Sequence, residues 1–288
     1  MRVGAAEVNK LLAAHSFNPS KAKGQNFLID PNIPEKLVRL SGIGKSSGVL
    51  EAGPGMGALT VQLCRASGHV TAVELDTRLM PILREVLKEH SNVTLVQGNI
   101  LKVDIKKLVD ETMGETDRHV CANLPYSITT PAISAFIKAE VFDTITVMIQ
   151  KEVAERIVAK PGSPEYGAFT IYVNYHSSVE KLFDVPPECF IPQPKVTSTV
   201  IKMSMRKERS LSPDSEKLLF RLVRAAFGQR RKTLVNALYA EFGETLSKEY
   251  ISQAIVSCGF DSRVRGEALS VEDFIIIASF FQYVTICK

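Results

Sequence analysis

Hydrophobic positions along the first two thirds of the chain follow two alternating patterns. Short apolar and β-branched runs alternate with segments whose apolar residues recur at helical spacing. This order of strands and helices predicts a parallel sheet covered by helices on both faces, that is, a doubly wound α/β fold. The predicted strands are 47–51, 69–74, 93–97, 119–122, 145–149 and 199–203, and the predicted helices include 59–66, 77–89 and 130–139.

The strand pattern stops near residue 210, and helical patterns replace it. Ser212-Pro213, and Ser270 with Asp273, have the form of helix starts. We therefore expect an α/β domain over 1–206 and a small all-helical C-terminal domain over 207–288. The predicted C-terminal helices are 214–227, 231–242, 247–258 and 270–283.

Composition fits a globular protein and disfavours several other classes. The 288 residues are 45% hydrophobic and 23% charged, and no apolar run reaches the length of about 18 residues that predicts a membrane span. The N-terminus lacks the charged start and apolar stretch of a signal peptide. Five scattered cysteines without a CxxC pair, and histidines without ligand spacing, predict reduced thiols and no metal site. We expect a cytoplasmic protein without a membrane partner.

A glycine-rich segment follows the first predicted strand, at the edge where a doubly wound sheet binds ligands. Glu51-Ala-Gly53-Pro-Gly55-Met-Gly57 contains G-x-G-x-G, and glycine permits positive φ values and close backbone approach to a ligand. Glu74 ends the next strand, 21 positions after Gly53, where a carboxylate can accept hydrogen bonds from ribose hydroxyls. The pair predicts an adenosine-containing cofactor.

The glycine spacing indicates which cofactor this is. A dinucleotide site would have G-x-G-x-x-G, so a nicotinamide dehydrogenase is disfavoured. The segment from Glu51 to Gly57 instead resembles the signature of class I methyltransferases, which implies S-adenosyl-L-methionine. A tight turn without a ligand is the alternative.

The segment Asn123-Leu124-Pro125-Tyr126 follows the strand 119–122 and is predicted at the same edge of the sheet. It resembles the N/D-x-P-Y/F motif of methyltransferases that modify amino groups of adenine, cytosine or glutamine. The exocyclic amine of adenine is a poor nucleophile because its lone pair is delocalised into the ring. The Asn123 side-chain oxygen and the Leu124 or Pro125 carbonyl can accept its two protons, which favours a pyramidal nitrogen. Tyr126 offers a ring on which an extruded base can stack, and a structural Asn-Pro turn is the alternative.

These motifs, together with two later segments, resemble the ribosomal RNA adenine N6,N6-dimethyltransferase family, the dimethyladenosine transferases of the small ribosomal subunit. The resemblance runs from about Lys21 to the C-terminus. It includes 23–28 (KGQNFL), 190–196 (FIPQPKV) and 226–234 (AFGQRRKTL), of which the last favours this family over its relatives. The second lies within 186–194, where four prolines predict an ordered loop or turn.

The resemblance implies a class I, Rossmann-like methyltransferase sheet and assigns a role to each motif. The first segment would close over S-adenosyl-L-methionine, and Phe190 would stack on the target adenine opposite Tyr126. The residues implied to contact the cofactor are Asn26, Leu28, Gly53, Gly55, Glu74, Leu75, Asn99, Ile100 and Asn123. The residues implied at the acceptor are Asn123, Leu124, Pro125, Tyr126 and Phe190.

Gly98-Asn99 departs from the family pattern, which has aspartate at the second position. That aspartate accepts a hydrogen bond from the adenine amine of the cofactor. The amide oxygen of Asn99 can accept the same bond without charge assistance, so we expect modestly weaker cofactor binding and retained activity.

A basic cluster lies in the predicted C-terminal domain. The net charge of +4 is too small to identify a nucleic-acid partner, but 221–232 has no acidic residue. A solvated helix face and a surface for the RNA backbone are both compatible with this run, and the resemblance implies RNA contact. The basic residues are Arg221, Arg224, Arg230, Arg231 and Lys232.

The resemblance implies dimethylation of two adjacent adenosines near the 3′ end of small-subunit rRNA, with a role in maturation of the small ribosomal subunit. We expect a monomer. One alternative is a macrolide-resistance methyltransferase acting on large-subunit RNA, which the 226–234 segment disfavours. Another is a non-catalytic binding protein, which the intact motif from Asn123 to Tyr126 disfavours.

Overall fold

The structure is a computed structural model that describes residues 4–19 and 24–286, with side chains described as far as Phe281. Lys21, Lys23 and Cys287, which the sequence analysis considered, lie outside these residues. The strands are β1 (Phe27–Leu28), β2 (Ser47–Ala52), β3 (His69–Glu74), β4 (Val93–Gln97), β5 (Asp117–Asn123), β6 (Thr144–Gln150), β7 (Ser177–Val185), β8 (Phe190–Ile191) and β9 (Ser198–Met205).

Seven of these strands form one sheet in the order β4-β3-β2-β5-β6-β9-β7. From β4 to β6 all neighbours are parallel, and β9 runs antiparallel to β6. Strand β2 is buried along its whole length because helices cover both faces of the sheet. The predicted α/β fold is therefore confirmed.

The helices that accompany the sheet begin and end close to the predicted patterns where the apolar periodicity is long. The predicted helix 77–89 is divided into a 3₁₀ turn and a shorter α-helix, in which Pro81 occupies the first turn. The α-helices before β6 are α1 (Ala5–Ala14), α2 (Asn32–Ser41), α3 (Ala58–Ala66), α4 (Met80–Val86), α5 (Ile105–Met113) and α6 (Thr129–Ala139), and α7 (Lys151–Ile157) and α8 (Ala168–His176) follow β6 along the chain.

Residues 186–194 are only partly irregular. Phe190 and Ile191 form the short strand β8, which pairs antiparallel with β1. The expectation of a loop or turn without a regular element was wrong at these two residues. The prolines flank them, so both keep the N–H group that strand pairing requires.

The chain divides into two compact units. The first contains the residues up to Ala154 together with Val179–Met205, and the second contains Glu155–Ser178 together with the residues from Arg206 onward. The observed division therefore differs from the expected boundary at residue 207 in one segment, 155–178, which belongs to the second unit. Tyr166, Ile171 and Tyr175 of that segment are buried in one apolar cluster with the C-terminal helices. That each unit is a separate folding domain stays a prediction.

The second unit contains four helices after residue 206, as the apolar periodicity predicts. Ser270 and Asp273 form a reciprocal cap, in which the Asp273 N–H donates to Ser270 Oγ at 3.1 Å and the Ser270 N–H donates to Asp273 Oδ2 at 2.8 Å. These helices are α9 (Pro213–Gly228), α10 (Leu234–Phe242), α11 (Lys248–Ser257) and α12 (Val271–Ile286). Throughout the described part of the chain, every helix is too short or too polar to cross a bilayer.

Candidate active site

The strand order determines where the predicted ligand-binding segments meet. The chain moves outward from β2 to β4 and then returns to β5 on the other side of β2, so the carboxyl ends of β2 and β5 border a topological switch point. Residues from these strand ends line a cavity of about 310 Å³, a volume within the range of small-molecule sites. The predicted site residues that line it are Asn26, Leu28, Gly53, Gly55, Glu74, Leu75, Asn99, Ile100, Asn123, Leu124, Pro125, Tyr126 and Phe190.

The glycine loop turns back towards the cavity through left-handed backbone conformations. Gly53, Gly55 and Gly57 have φ values of 70°, 59° and 80°, which other residues rarely adopt. The ring of Phe27 also packs against the loop, since a Cβ atom at Gly55 would lie 3.1 Å from the ring. Both the conformation and the close approach therefore require glycine at this position.

Glu74 ends β3, and main-chain donors fix its carboxylate. Oε2 accepts a hydrogen bond from the Gly55 N–H at 3.2 Å, and Oε1 accepts one from the Asp76 N–H at 2.8 Å. Burial raises the pKa of Glu74, and these N–H donors oppose that rise. Each carboxylate oxygen has a further lone pair, so the group can still accept hydrogen bonds from two ligand hydroxyls.

Asp76 connects this wall of the cavity to the N-terminal segment. Its carboxylate is buried and accepts hydrogen bonds from Gln25 Nε2 at 3.0 Å and from Arg78 Nη2 at 2.6 Å. The guanidinium of Arg78 lies over the ring of Phe17, 4.8 Å from its centroid. Gln25 and Asp76 both line the cavity, although neither was among the predicted site residues. The only signal was a second acidic residue two positions after Glu74.

Glu51, the acidic residue that precedes the glycines, also lines the cavity and is completely buried. Its Oε2 atom and the Thr60 hydroxyl have no hydrogen-bond partner among the described residues. Burial raises the pKa of Glu51 to about 8; the neighbouring Thr60 hydroxyl opposes this rise, and the negative charge of Glu74 adds to it. The Glu51 carboxyl is therefore protonated at neutral pH unless a ligand supplies a donor or a positive charge.

Asn99 follows β4 and lines the same cavity. Its side-chain oxygen accepts a hydrogen bond from the Leu101 N–H at 3.0 Å. This oxygen has a second lone pair, so the expectation that it can accept a hydrogen bond from a ligand stays a prediction. The amide NH₂ group has no acceptor among the described residues.

Asn123 ends β5, and its side chain is oriented by the N-terminal segment. Nδ2 donates to the Asn26 carbonyl at 3.5 Å, which leaves the side-chain oxygen as the group available to a ligand. The Pro125 carbonyl accepts hydrogen bonds from the Ile128 N–H at 3.1 Å and the Thr129 hydroxyl at 3.4 Å. The Leu124 carbonyl accepts none from the described residues, so of the two predicted carbonyls it is the available one.

Two aromatic side chains, Tyr126 and Phe190, also line the cavity. The Tyr126 hydroxyl lies 2.8 Å from Ser198 Oγ, and burial raises the pKa of this phenol. Phe190 is 2% exposed and pairs through its backbone with Leu28. The β1–β8 pairing therefore brings Phe190 to the same cavity as Tyr126 and the N-terminal segment, which sequence separation alone did not predict.

The five basic residues of the segment 221–232 fall into two groups. Arg221 donates to Glu241 at 3.1 Å, and Arg230 donates to Glu267 at 2.6 Å and to the Pro164 and Ser163 carbonyls. These two arginines are held by partners within the unit. The other three residues of this segment are exposed and form no ion pair with any described residue; they are Arg224, Arg231 and Lys232.

Comparison with known proteins identifies related sequences over nearly the whole chain. The sequence profile of the family "Ribosomal RNA adenine dimethylase" matches residues 16–282. "Ribosomal RNA small subunit methyltransferase A" of Lachnoclostridium phytofermentans is 45% identical over 93% of this chain and 93% of its own. The protein of the same name from Geobacillus thermodenitrificans is 42% identical over 92% of each chain.

Solved structures show the same fold. A dimethyladenosine transferase from Plasmodium falciparum is 25% identical with a TM-score of 0.76, covering 89% of this chain and 98% of its own. The 23S rRNA methyltransferase ErmE is 23% identical with a TM-score of 0.69, covering 89% and 100%. The likeness to ErmE concerns the fold alone. The profile match and the sequence relatives show that this chain belongs to the ribosomal RNA adenine dimethylase family of methyltransferases.

Proposed function

We propose that this enzyme uses S-adenosyl-L-methionine to dimethylate N6 of two adjacent adenosines near the 3′ end of small-subunit rRNA, and that it acts in maturation of the small ribosomal subunit. The single observation that carries the chemistry is the pair of free acceptors, Asn123 Oδ1 and the Leu124 carbonyl, beside Tyr126 and Phe190 in one cavity. The small-subunit substrate is supported by the relatives at 40–45% identity.

The cavity residues fit S-adenosyl-L-methionine. Glu74 suits a ribose, and the left-handed glycine loop lets the backbone approach the ligand closely. Glu51 places an unpartnered buried carboxyl oxygen beside the loop, where the cationic groups of this cofactor would offset its burial. When bound, the cofactor supplies a methyl group activated by a sulfonium.

The acceptor residues act by orientation. Asn123 Oδ1 and the Leu124 carbonyl accept hydrogen bonds from the two N–H groups of the adenine amine. These bonds turn the nitrogen lone pair out of conjugation with the ring. Tyr126 and Phe190 hold the extruded base between two rings. Both acceptors are neutral, so these residues supply positioning and partial negative charge, and no strong base is required.

The proposed function is tested by methyl transfer from labelled S-adenosyl-L-methionine to undermethylated small ribosomal subunits, with large subunits and free adenosine as controls. The digested RNA is analysed by mass spectrometry. Dimethyladenosine in small-subunit RNA alone is the expected result. Label in large-subunit RNA would identify the macrolide-resistance activity instead, and cofactor binding without transfer would identify a binding protein.

We further propose that Arg224, Arg231 and Lys232 contact the RNA backbone. Replacing all three by alanine is expected to raise KM for small subunits at least tenfold with little change in kcat. Loss of three phosphate contacts should reduce the magnitude of the slope of log K, where K is the association constant for the RNA substrate, against the logarithm of the salt concentration by about 2. Each contact contributes roughly 0.7 to this slope. Lys248→Ala, at the exposed first residue of α11, is the matched control. An unchanged salt slope in the triple variant would show that these three residues do not contact the RNA backbone.

The monomeric state and the cytoplasmic location of the protein stay predictions.

A further inference from the structure

The side chain of Tyr126 is fixed at both of its ends. Its backbone begins the 3₁₀ turn Tyr126–Ile128, directly after Pro125, and its hydroxyl lies 2.8 Å from Ser198 Oγ. The two residues are 72 positions apart in the chain. The hydrogen bond therefore ties a ring that lines the cavity to a distant strand.

The Ser198 hydroxyl is fully buried, and its one hydrogen-bond partner among the described residues is the Tyr126 hydroxyl. A buried hydroxyl without a partner costs free energy, so the pair favours the one orientation of the tyrosine ring that keeps the bond. Ser198 itself is not among the described residues that line the cavity. Any effect of its hydroxyl on a bound group therefore acts through Tyr126.

The backbone around Ser198 holds this hydroxyl in place. Ser198 begins β9 and pairs with the last residue of β6. Directly beyond this pair, the Lys151 N–H donates to the Thr197 carbonyl at 3.0 Å. Strand β6 is also the parallel neighbour of β5, which ends at Asn123. The sheet therefore fixes the Ser198 hydroxyl relative to Asn123, and the hydrogen bond extends this to the ring of Tyr126.

The relative position of the ring and Asn123 matters for the proposed reaction. The target base stacks on Tyr126 while its amine donates to Asn123 Oδ1 and the Leu124 carbonyl. A stacked base follows the ring, so the tilt of the ring decides where the amine lies. A misplacement of about 1 Å between reacting groups can lower a rate by roughly 10²-fold.

We propose that Ser198 is a positioning residue for methyl transfer, whose buried hydroxyl holds the Tyr126 ring in the orientation that brings the target base to Asn123 Oδ1. This inference rests on the proposed function. Ser198 contributes to the rate of transfer and not to cofactor binding, because neither Glu74 nor the glycine loop is held by it.

Single-turnover methyl transfer to small ribosomal subunits tests this in the full-length wild type, Ser198→Ala, Tyr126→Phe and the double variant. Each single change removes the hydrogen bond and is expected to lower the rate at saturation about tenfold. The half-saturating concentration of subunits should stay within about threefold, and the calorimetric affinity for S-adenosylhomocysteine within about twofold. The double variant should be no slower than the slower single variant, because both changes remove the same bond.

Thr199→Val is the matched control. Thr199 is the next residue of β9 and is equally buried, but its hydroxyl donates to Asp184 Oδ1 at 2.7 Å. This variant loses a buried hydrogen bond of the same strand without touching Tyr126, so its transfer rate should stay within about twofold of the wild type. Thermal unfolding of each variant verifies that the protein is folded.

The outcomes separate this inference from the proposed function. A wild-type rate in Ser198→Ala would overturn the inference and leave the proposed function intact. Equal losses in Ser198→Ala and Thr199→Val, or independent effects in the double variant, would assign the loss to a general disturbance of β9 and would also overturn it. If Ser198→Ala does not fold, a wild-type rate in Tyr126→Phe overturns the inference. A wild type that transfers no methyl group to small subunits would overturn both the inference and the proposed function.

Discussion

Replacing Asn123 by alanine is expected to lower single-turnover methyl transfer to small ribosomal subunits by about 10³-fold or more. The substitution removes the side-chain oxygen that accepts one adenine N–H, and it removes the Nδ2 bond to the Asn26 carbonyl that orients this side chain. Loss of one preorganised polar group in an active site reduces turnover by roughly 10²–10³, and lost orientation of the amine adds to this. The measurement is quantification of dimethyladenosine by mass spectrometry under cofactor saturation.

Cofactor affinity provides the control for this variant. Because Glu74 and the glycine loop remain intact, S-adenosylhomocysteine should bind Asn123→Ala within about tenfold of the wild type, an affinity change of under about 1.4 kcal/mol. Asn123→Asp retains an acceptor oxygen but cannot donate to Asn26, so its rate should lie between the two. If Asn123→Ala kept more than a tenth of the wild-type rate, the proposed role of this side chain would be wrong.

Replacing Glu51 by glutamine is expected to make the protein more stable at alkaline pH. The folded-state pKa of Glu51 is about 8, above the ordinary value of 4.5, because the carboxyl is completely buried. The native state therefore binds more protons than the unfolded state between these two values, and the contribution of Glu51 to stability falls as pH rises through that window. Glutamine has nearly the same shape and no charge, so its contribution stays constant.

The expected size of this effect is large for one side chain. A pKa difference of this magnitude corresponds to a loss of roughly 4 kcal/mol in the free energy of unfolding between pH 4.5 and pH 9. The measurement is urea unfolding of the wild type and Glu51→Gln across this range, read as the difference between the two curves. Glu89→Gln, at an exposed position, is the matched control and should give a flat difference. A flat difference for Glu51→Gln as well would mean that the Glu51 carboxyl is ionised in the folded protein.

The strand-end motifs were predictable because their information is local. Each parallel strand is a short apolar run, and the residues that line the cavity lie at its end, as Glu74 ends β3 and Asn123 ends β5. The carboxyl ends of neighbouring parallel strands lie at the same edge of the sheet. A prediction of the strands therefore also predicts that the motifs at their ends lie close together. The positions of the glycine loop, of Glu74 and of the segment from Asn123 to Tyr126 could therefore be predicted without knowledge of long-range contacts. The cap formed by Ser270 and Asp273 was predictable for the same reason.

Other features depend on residues far apart in the chain. The bond from Gln25 to Asp76 spans 51 residues, that from Tyr126 to Ser198 spans 72, and that from Arg230 to Ser163 spans 67. The hydrophobic pattern of one segment does not indicate which distant residue its side chains will bond to. The same is true of Tyr166, Ile171 and Tyr175, which are buried in one apolar cluster with residues of the C-terminal helices.

By itself, the sequence determined the order of strands and helices, the positions of the ligand-binding segments and the family, because spacing and residue type along the chain encode them. Only the tertiary structure decided which polar groups remain available. It left the Leu124 carbonyl open where the Pro125 carbonyl is used, turned the Asn99 amide towards Leu101, and held Arg221 and Arg230 in ion pairs. A hydrogen-bonding group can serve a ligand only when the folded chain has not already satisfied it, and that depends on neighbours brought together by folding.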